Sequence, residues 1–143
     1  MQRVSIIGLG LIGSSIGLGL RRWATNGGRR EAVLEISGFD LSLEVQNYAK
    51  RAKAVDRTEW QLVDAVQRAD VIIIATPVGA IPDIFDVIAA HAKTGVVVTD
   101  TASTKAQVMR WAADILPNTV NFVGSHPMAG NTRGVEGADA DLF

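Results

Sequence analysis

The 143-residue sequence contains no cysteine, which excludes disulfide bonds, thiolate nucleophiles and zinc sites with thiolate ligands. It has two histidines, His91 and His126, so a histidine-rich metal site is not expected and no metal is predicted. An excess of charge of one sign is also missing, because 14 basic and 15 acidic residues leave a formal net charge of -1. Arginine pairs at 21–22 and 29–30 are interpreted as a solvated helix end and a loop, so no nucleic-acid partner is predicted.

A hydrophobic run long enough to span a membrane is missing as well. The uncharged stretch 4–20 is shorter than the ~20 apolar residues of a spanning helix, and glycines interrupt it. A secretory signal is the competing interpretation of this stretch, which the glycines disfavour. With 48% hydrophobic and 20% charged residues, we expect a packed, soluble, cytoplasmic domain that makes no membrane contact.

The most informative motif is the turn Gly8-Leu9-Gly10-Leu11-Ile12-Gly13, which follows the apolar run 4–7. Between a strand and a helix, Gly8 permits a sharp reversal, Gly10 lets the backbone approach a pyrophosphate, and Gly13 lets helix and strand pack closely. The helix N-terminus offers free N–H groups and a positive dipole end to the phosphates. A glycine turn without a ligand is the alternative. We predict that the cofactor-binding residues here are Gly8, Gly10, Leu11, Ile12 and Gly13.

Strands alternate with helices along the rest of the chain. Apolar, β-branched runs predict strands over 3–8, 33–39, 54–55, 71–75, 96–99 and 120–123. Helical patterns cover 11–23, 43–52 with Ser42 as N-cap, 62–68, a segment ending near 92, and 105–115, and residues 25–30 are predicted as a loop. This alternation predicts an α/β fold with a doubly wound parallel sheet over 1–130 and a loop over 131–143. In such sheets ligands bind beyond the carboxyl ends of the strands.

Two candidate cofactor segments lie at predicted strand ends. Asp40 closes the strand 33–39, where a carboxylate can accept hydrogen bonds from the adenosine ribose hydroxyls and repels a 2′-phosphate, which favours NAD over NADP. Thr76, Pro77 and Val78 follow the strand 71–75 and are placed against the nicotinamide-ribose half. A capping aspartate and an ordinary strand-to-helix turn are the respective alternatives.

Candidates for substrate chemistry follow the last two predicted strands. Ser103 or Thr104 can serve as a helix N-cap, and a hydroxyl there can also orient a substrate oxygen beside the nicotinamide. Lys105 fits a catalytic or a surface role equally. The His126 imidazole can accept a hydroxyl proton as hydride leaves the same carbon, with a structural histidine as the alternative. His91 is assigned to the surface.

Taken together, five segments resemble the prephenate/arogenate dehydrogenase family of tyrosine biosynthesis, in order and over essentially the whole chain. They are GLGLIGSS (8–15), GFD (38–40), ATPV (75–78), VTDTASTK (98–105) and GSHPMAG (124–130). The resemblance implies a Rossmann-type NAD-binding domain and oxidative decarboxylation of a cyclohexadienyl acid, in which hydride passes to NAD, CO2 leaves and the ring becomes aromatic. It assigns His126 to accepting the ring-hydroxyl proton, Ser103 to a hydrogen bond with that hydroxyl, and Asp40 to the ribose.

The same resemblance implies a second, helical domain with dimer contacts and an arginine for the substrate carboxylates. The sequence ends at Phe143, so we expect a truncated or a naturally short chain that lacks that domain, binds NAD and turns over poorly. In its full-length form the enzyme is expected to be a homodimer. Residues 131–134 (NTRG) depart from the family pattern, which leaves the role of Arg133 open. Prephenate and arogenate are not distinguished. The alternatives are a related dehydrogenase of 3-hydroxy acids or a pyrroline, and a non-catalytic dinucleotide-binding module.

Overall fold

Parallel strands form one sheet in the computed structural model, which describes residues 2–26 and 34–143. The strands of this part of the chain are β1 (Gln2–Ile7), β2 (Leu34–Phe39), β3 (Arg57–Thr58), β4 (Val71–Ile74), β5 (Val97–Asp100) and β6 (Asn121–Val123). Their order across the sheet is β3-β2-β1-β4-β5-β6, and each neighbouring pair is parallel. Because the strand order reverses between β1 and β4, the predicted doubly wound sheet is confirmed.

The helices agree with the predicted positions, with differences at their ends. They are α1 (Leu11–Asn26), α2 (Leu43–Arg51), α3 (Leu62–Val66), α4 (Ile81–His91) and α5 (Lys105–Ile115), with short 3-10 helices over Val78–Ala80 and Gly134–Gly137. Ser42 caps α2 as predicted, since its Oγ accepts a hydrogen bond from the Val45 N–H at 3.3 Å. Helix α1 extends beyond the predicted end at 23, so the prediction of a loop was wrong for residues 25 and 26. The rest of that loop and the predicted start of β2 fall in 27–33, outside the described residues.

The predicted strand over 54–55 was wrong. Ala54 and Val55 are fully buried in a core cluster, and the Ala54 N–H donates to the Ala49 carbonyl at the end of α2. The residues that pair with β2 are instead the polar Arg57 and Thr58. Ala54 and Val55 are apolar because they are buried against helices, not because they form a strand. The edge strand itself carries polar side chains, which give no hydrophobic pattern in the sequence.

Helices cover the sheet on both faces. Alternation along β1 sends Ile6 into a core cluster shared with α1 and α2, and Ile7 into a second cluster shared with α3, α4 and α5. In the second cluster, the rings of Phe85 from α4 and Phe122 from β6 pack in a T-shaped arrangement with centroids 5.3 Å apart. Burial on both faces explains the continuous apolar runs in the central strands.

The carboxyl ends of the strands form one edge. Ladder hydrogen bonds continue past the strands there, from the Gly8 N–H to the Phe39 carbonyl at 2.8 Å and from the Thr101 N–H to the Ile74 carbonyl at 3.0 Å. Residues that follow β1, β2, β4, β5 and β6 are therefore gathered along this edge, which is where the sequence placed the candidate site.

The tail after Gly130 lies against α1. The Asp139 N–H donates to the Ser15 Oγ at 3.0 Å, and Arg22 pairs with Asp141 and donates to the Ala140 carbonyl at 3.1 Å. A domain boundary at residue 130 remains a prediction. Among the described residues, no helix combines the length and apolar character needed to cross a membrane.

Candidate functional site

Three glycines of the first turn have different surroundings. Gly8 has φ +91°, and a Cβ on it would lie 2.5 Å from the Ala75 carbonyl oxygen. A Cβ on Gly13 would lie 1.9 Å from the Gly8 carbonyl oxygen, so both positions require glycine for the backbone to pack. A Cβ on Gly10 would meet nothing within 4 Å. The turn thus leaves open space at Gly10, as a site for a backbone-bound ligand requires.

A cleft of about 480 Å³ opens beside Gly10. The predicted cofactor residues on its lining are Gly8, Gly10, Asp40, Thr76 and Pro77, together with an apolar wall of Phe39, Leu41, Leu62, Ala80 and Ile84. The polar turn and the apolar wall lie side by side, which suits a ligand with a phosphate and a flat apolar ring.

The start of α1 presents backbone donors beside this cleft. The Ser14 N–H donates to the Gly10 carbonyl at 3.0 Å, and the Ser14 Oγ donates to the Leu9 carbonyl at 2.8 Å, which holds the turn. Leu11, Ile12 and Gly13 form the first helical turn, and N–H groups at these positions have no partner within their helix. None of the three lines the cleft.

Asp40 supports the turn as well as lining the cleft. Its Oδ2 accepts from the Leu9 N–H at 2.8 Å, and its Oδ1 accepts from the Ser42 N–H at 2.9 Å. A carboxylate has about four acceptor positions, so capacity remains for a diol. Among the residues that the structure describes, Asp40 and Asp83 are the charged side chains on the lining. Two carboxylates, with no lysine or arginine among the described residues of the lining, are unfavourable for an additional phosphate.

Among the described residues on the cleft lining, the Thr76 hydroxyl is a buried polar group that lacks a hydrogen-bond partner. Its Oγ1 is buried and finds no hydrogen-bond partner within the described part of the chain, although Thr76 lines the cleft. A buried hydroxyl without a partner is unfavourable, and a ligand in the cleft could supply one. Val78, the third predicted residue of this segment, lies in the 3-10 helix, is partly exposed and does not line the cleft.

His126 lies in a second depression of about 350 Å³ on the same sheet edge. The lining combines hydroxyls from Thr99, Thr101 and Ser125 with apolar groups from Ile16, Ile73, Pro127 and Phe143. The His126 side chain is exposed rather than turned into the core, so its ring is accessible to a ligand.

Ser103 lies apart from both cavities. It is exposed and lines neither of them, and the N-cap position of α5 is occupied by Thr104, whose side chain makes no capping hydrogen bond. The structure therefore does not bring Ser103 and His126 together in one cavity. His91 is exposed at the end of α4, as predicted, and Arg133 is exposed before the second 3-10 helix.

A family model described as "Prephenate dehydrogenase, nucleotide-binding domain" matches residues 20–143. The chain belongs to this family. A prephenate dehydrogenase of Lactococcus lactis subsp. cremoris is 39% identical over 146 aligned positions, which cover 100% of this chain and 39% of the relative.

Two solved structures of the family are similar in fold. The arogenate dehydrogenase of Synechocystis superposes with a TM-score of 0.83 at 28% identity, covering 99% of this chain and 47% of that one. The prephenate dehydrogenase of A. aeolicus, in complex with hydroxyphenyl propionate and NAD+, gives a TM-score of 0.84 at 26% identity, covering 100% and 48%. This chain spans less than half the length of each of these relatives.

Sequence reasoning placed Asp100 among the polar residues at the strand ends but assigned no role to its carboxylate. This side chain is 0% exposed, forms an ion pair with Lys105, and accepts hydrogen bonds from the N–H groups of Ala102 at 2.9 Å and Ser125 at 3.2 Å. Aspartate at the end of a buried strand with a lysine five residues later was visible in the sequence. The contact with Ser125 was not, because it depends on how β6 pairs with β5.

Proposed function

We propose that this chain is the cofactor-binding part of an NAD-dependent prephenate or arogenate dehydrogenase. The proposed reaction oxidises and decarboxylates a cyclohexadienyl acid, with aromatisation of the ring. The observation that carries the proposal is the single sheet edge that holds the open glycine turn, the Asp40 carboxylate and the accessible His126 ring, in a chain of this family.

On the cofactor side, the backbone N–H groups at the start of α1 would bind the pyrophosphate where Gly10 leaves space. Asp40 would accept hydrogen bonds from the adenosine ribose with the acceptor capacity that Leu9 and Ser42 leave free. The segment Thr76, Pro77 and Val78 would lie along the nicotinamide ribose, where the Thr76 hydroxyl can find the partner it lacks. Bound NAD would supply the hydride acceptor.

On the substrate side, His126 would accept the proton of the ring hydroxyl as the carbon beneath it is oxidised. Ser103 would donate a hydrogen bond to the same hydroxyl, which requires the segment before α5 to approach the depression when substrate is bound. Because loss of CO2 yields an aromatic ring, the chemistry needs few catalytic groups beyond a proton acceptor. In its full-length form the enzyme is proposed to be a cytoplasmic homodimer.

The test combines cofactor titration with a turnover assay. We expect NADH fluorescence to report saturable binding to this chain, and NADH formation to depend on prephenate or arogenate rather than on 3-hydroxy acids. In the complete enzyme, His126→Ala is expected to lower turnover about 10²–10⁴-fold with NADH affinity near that of the wild type. Absence of dinucleotide binding, oxidation of a 3-hydroxy acid instead, or full activity of His126→Ala would each contradict the proposal.

A further inference from the structure

We infer that the buried Asp100–Lys105 pair is a positioning device for His126, which ties the segment 124–126 to the end of β5. The role of His126 in this inference rests on the proposed function. The positioning rests on the contacts of Asp100 and Lys105 with the residues before His126. Neither Asp100 nor Lys105 lines the cleft or the depression, so both would act through the backbone beside His126.

Asp100 collects donors from two segments. Lys105 Nζ contacts both carboxylate oxygens, and the N–H groups of Ala102 and Ser125 each donate to one of them. The Asp100 carbonyl oxygen accepts from the Ser125 Oγ, which itself accepts from the Thr99 hydroxyl at 3.3 Å. Three hydrogen bonds therefore fix Ser125, the residue immediately before His126.

Lys105 also contacts the segment before His126 through its aliphatic stem. A Cβ built on Gly124 would lie 2.7 Å from the Lys105 Cδ and 2.9 Å from the Met109 Sδ. The stem thus occupies the space that a side chain at 124 would fill. Its ammonium, with 29% of the side chain exposed, reaches the fully buried carboxylate. Asp100 and Lys105 are consequently joined to Gly124 and Ser125 by direct contacts.

Positioning matters because the imidazole has little support of its own. Within the described residues, no hydrogen bond to the His126 ring is found, so its placement follows from the backbone that Asp100 and Ser125 hold. A proton acceptor must lie within hydrogen-bond reach of its partner, and displacement by about 1 Å can reduce rate about 10²-fold.

The experiment measures the His126 ring directly by NMR in the full chain. The sequence has two histidines, so His91→Gln assigns the remaining ring signals to His126. We expect Lys105→Met to shift the His126 ring signals, while NADH affinity stays within about twofold of the wild type. Ser125→Ala, a smaller change that removes the two Oγ contacts, is expected to shift the same signals.

Lys93→Met is the matched control, because Lys93 pairs with Asp70 just before β4, at the opposite edge of the sheet. It should leave the His126 ring signals in place. The double variant Asp100→Asn/Lys105→Met removes the buried charge together with its partner, so it replaces Lys105→Met if that variant fails to fold, and it should also shift the ring signals.

Unchanged His126 ring signals in folded Lys105→Met or in the folded double variant would overturn the inference, as would an equal shift in Lys93→Met. If Ser125→Ala is the one variant that folds, unchanged His126 ring signals in it would also overturn the inference. The NMR measurement of the His126 ring needs neither cofactor nor substrate. Failure of the proposed function would therefore be seen separately, as the absence of NADH binding to the wild-type chain.

Discussion

At the residue scale, the Asp40 carboxylate has two separate tasks. It accepts hydrogen bonds from the Leu9 and Ser42 N–H groups, which shape the turn, and it lines the cleft beside Gly10. A substitution at this position will therefore weaken the binding of any dinucleotide, because it also disturbs the turn. The contribution of the proposed ribose contact can be isolated only by comparing two cofactors that differ at the ribose.

Asp40→Ala is expected to reduce the preference for NADH over NADPH, because removal of the carboxylate abolishes both the ribose hydrogen bonds and the repulsion of the 2′-phosphate. Hydrogen bonds to a charged group contribute ~1.5–3 kcal/mol, so the ratio of the two dissociation constants should change about tenfold or more. Fluorescence titration with each cofactor measures this ratio. Ser42→Ala keeps the carboxylate and its backbone partners, so the ratio should stay the same. An unchanged ratio in Asp40→Ala would exclude Asp40 from ribose recognition.

The roles of Gly8 and Gly13 could be predicted from the sequence, because tight turns and close helix–strand contacts have few solutions other than glycine. The contact of Asp100 with Ser125 could not, because Ser125 lies 25 residues further along the chain. Ser103 is the opposite case. Its position in the sequence predicted a contact with substrate, whereas its side chain lines neither cavity.

At the element scale, α1 packs on its neighbours through small residues. Ser14 and Ser15 are fully buried, and a Cβ on Gly17 would lie 2.2 Å from the Ala54 carbonyl oxygen. The same contact explains why the strand prediction over 54–55 failed, because that segment is pressed against α1 rather than paired in the sheet. Strand β4 was predicted well because burial on both faces leaves a long β-branched run.

Gly17→Ala is expected to destabilise the protein by ~1–3 kcal/mol, because the added methyl group overlaps with backbone that cannot easily move. Gly19→Ala is the matched control on the same helix, where the nearest atom to a Cβ is 3.8 Å away. Since alanine favours helix by up to ~1 kcal/mol over glycine, this control should be neutral or stabilising. Denaturant unfolding of the two variants measures the difference. Equal effects of the two changes would show that α1 packs less closely than described.

At the scale of the whole molecule, ion pairs hold the sheet at the edge opposite the candidate site. The Lys93 ammonium and the Arg3 N–H keep the pKa of Asp70 below its ordinary value. Burial would raise the pKa of Asp56, but the Ile36 N–H and the Arg21 guanidinium outweigh it and the net shift is downward. Both carboxylates are therefore more acidic in the folded chain than in the unfolded chain.

A lowered folded-state pKa stabilises the protein above the unfolded pKa of ~3.9, and this contribution is lost as pH falls through the folded value. We expect Asp70→Asn to be less stable than the wild type near neutral pH by ~1 kcal/mol or less, because the pair is partly exposed. The difference in unfolding free energy should shrink as the pH is lowered below about 5, and high salt should reduce it at neutral pH. A difference that is independent of pH would contradict this assignment.

The central claim is that a dinucleotide lies along the carboxyl edge of the sheet, from the open turn at Gly10 to the ring of His126. Titration of NAD into isotopically labelled chain, followed by NMR, tests it most directly. The account predicts that the backbone amides of Gly10 and Leu11 and the ring signals of His126 shift together with one dissociation constant, while the ring signals of His91 stay in place. Shifts at the glycine turn without any change at His126, or no shift at the turn, would contradict the account.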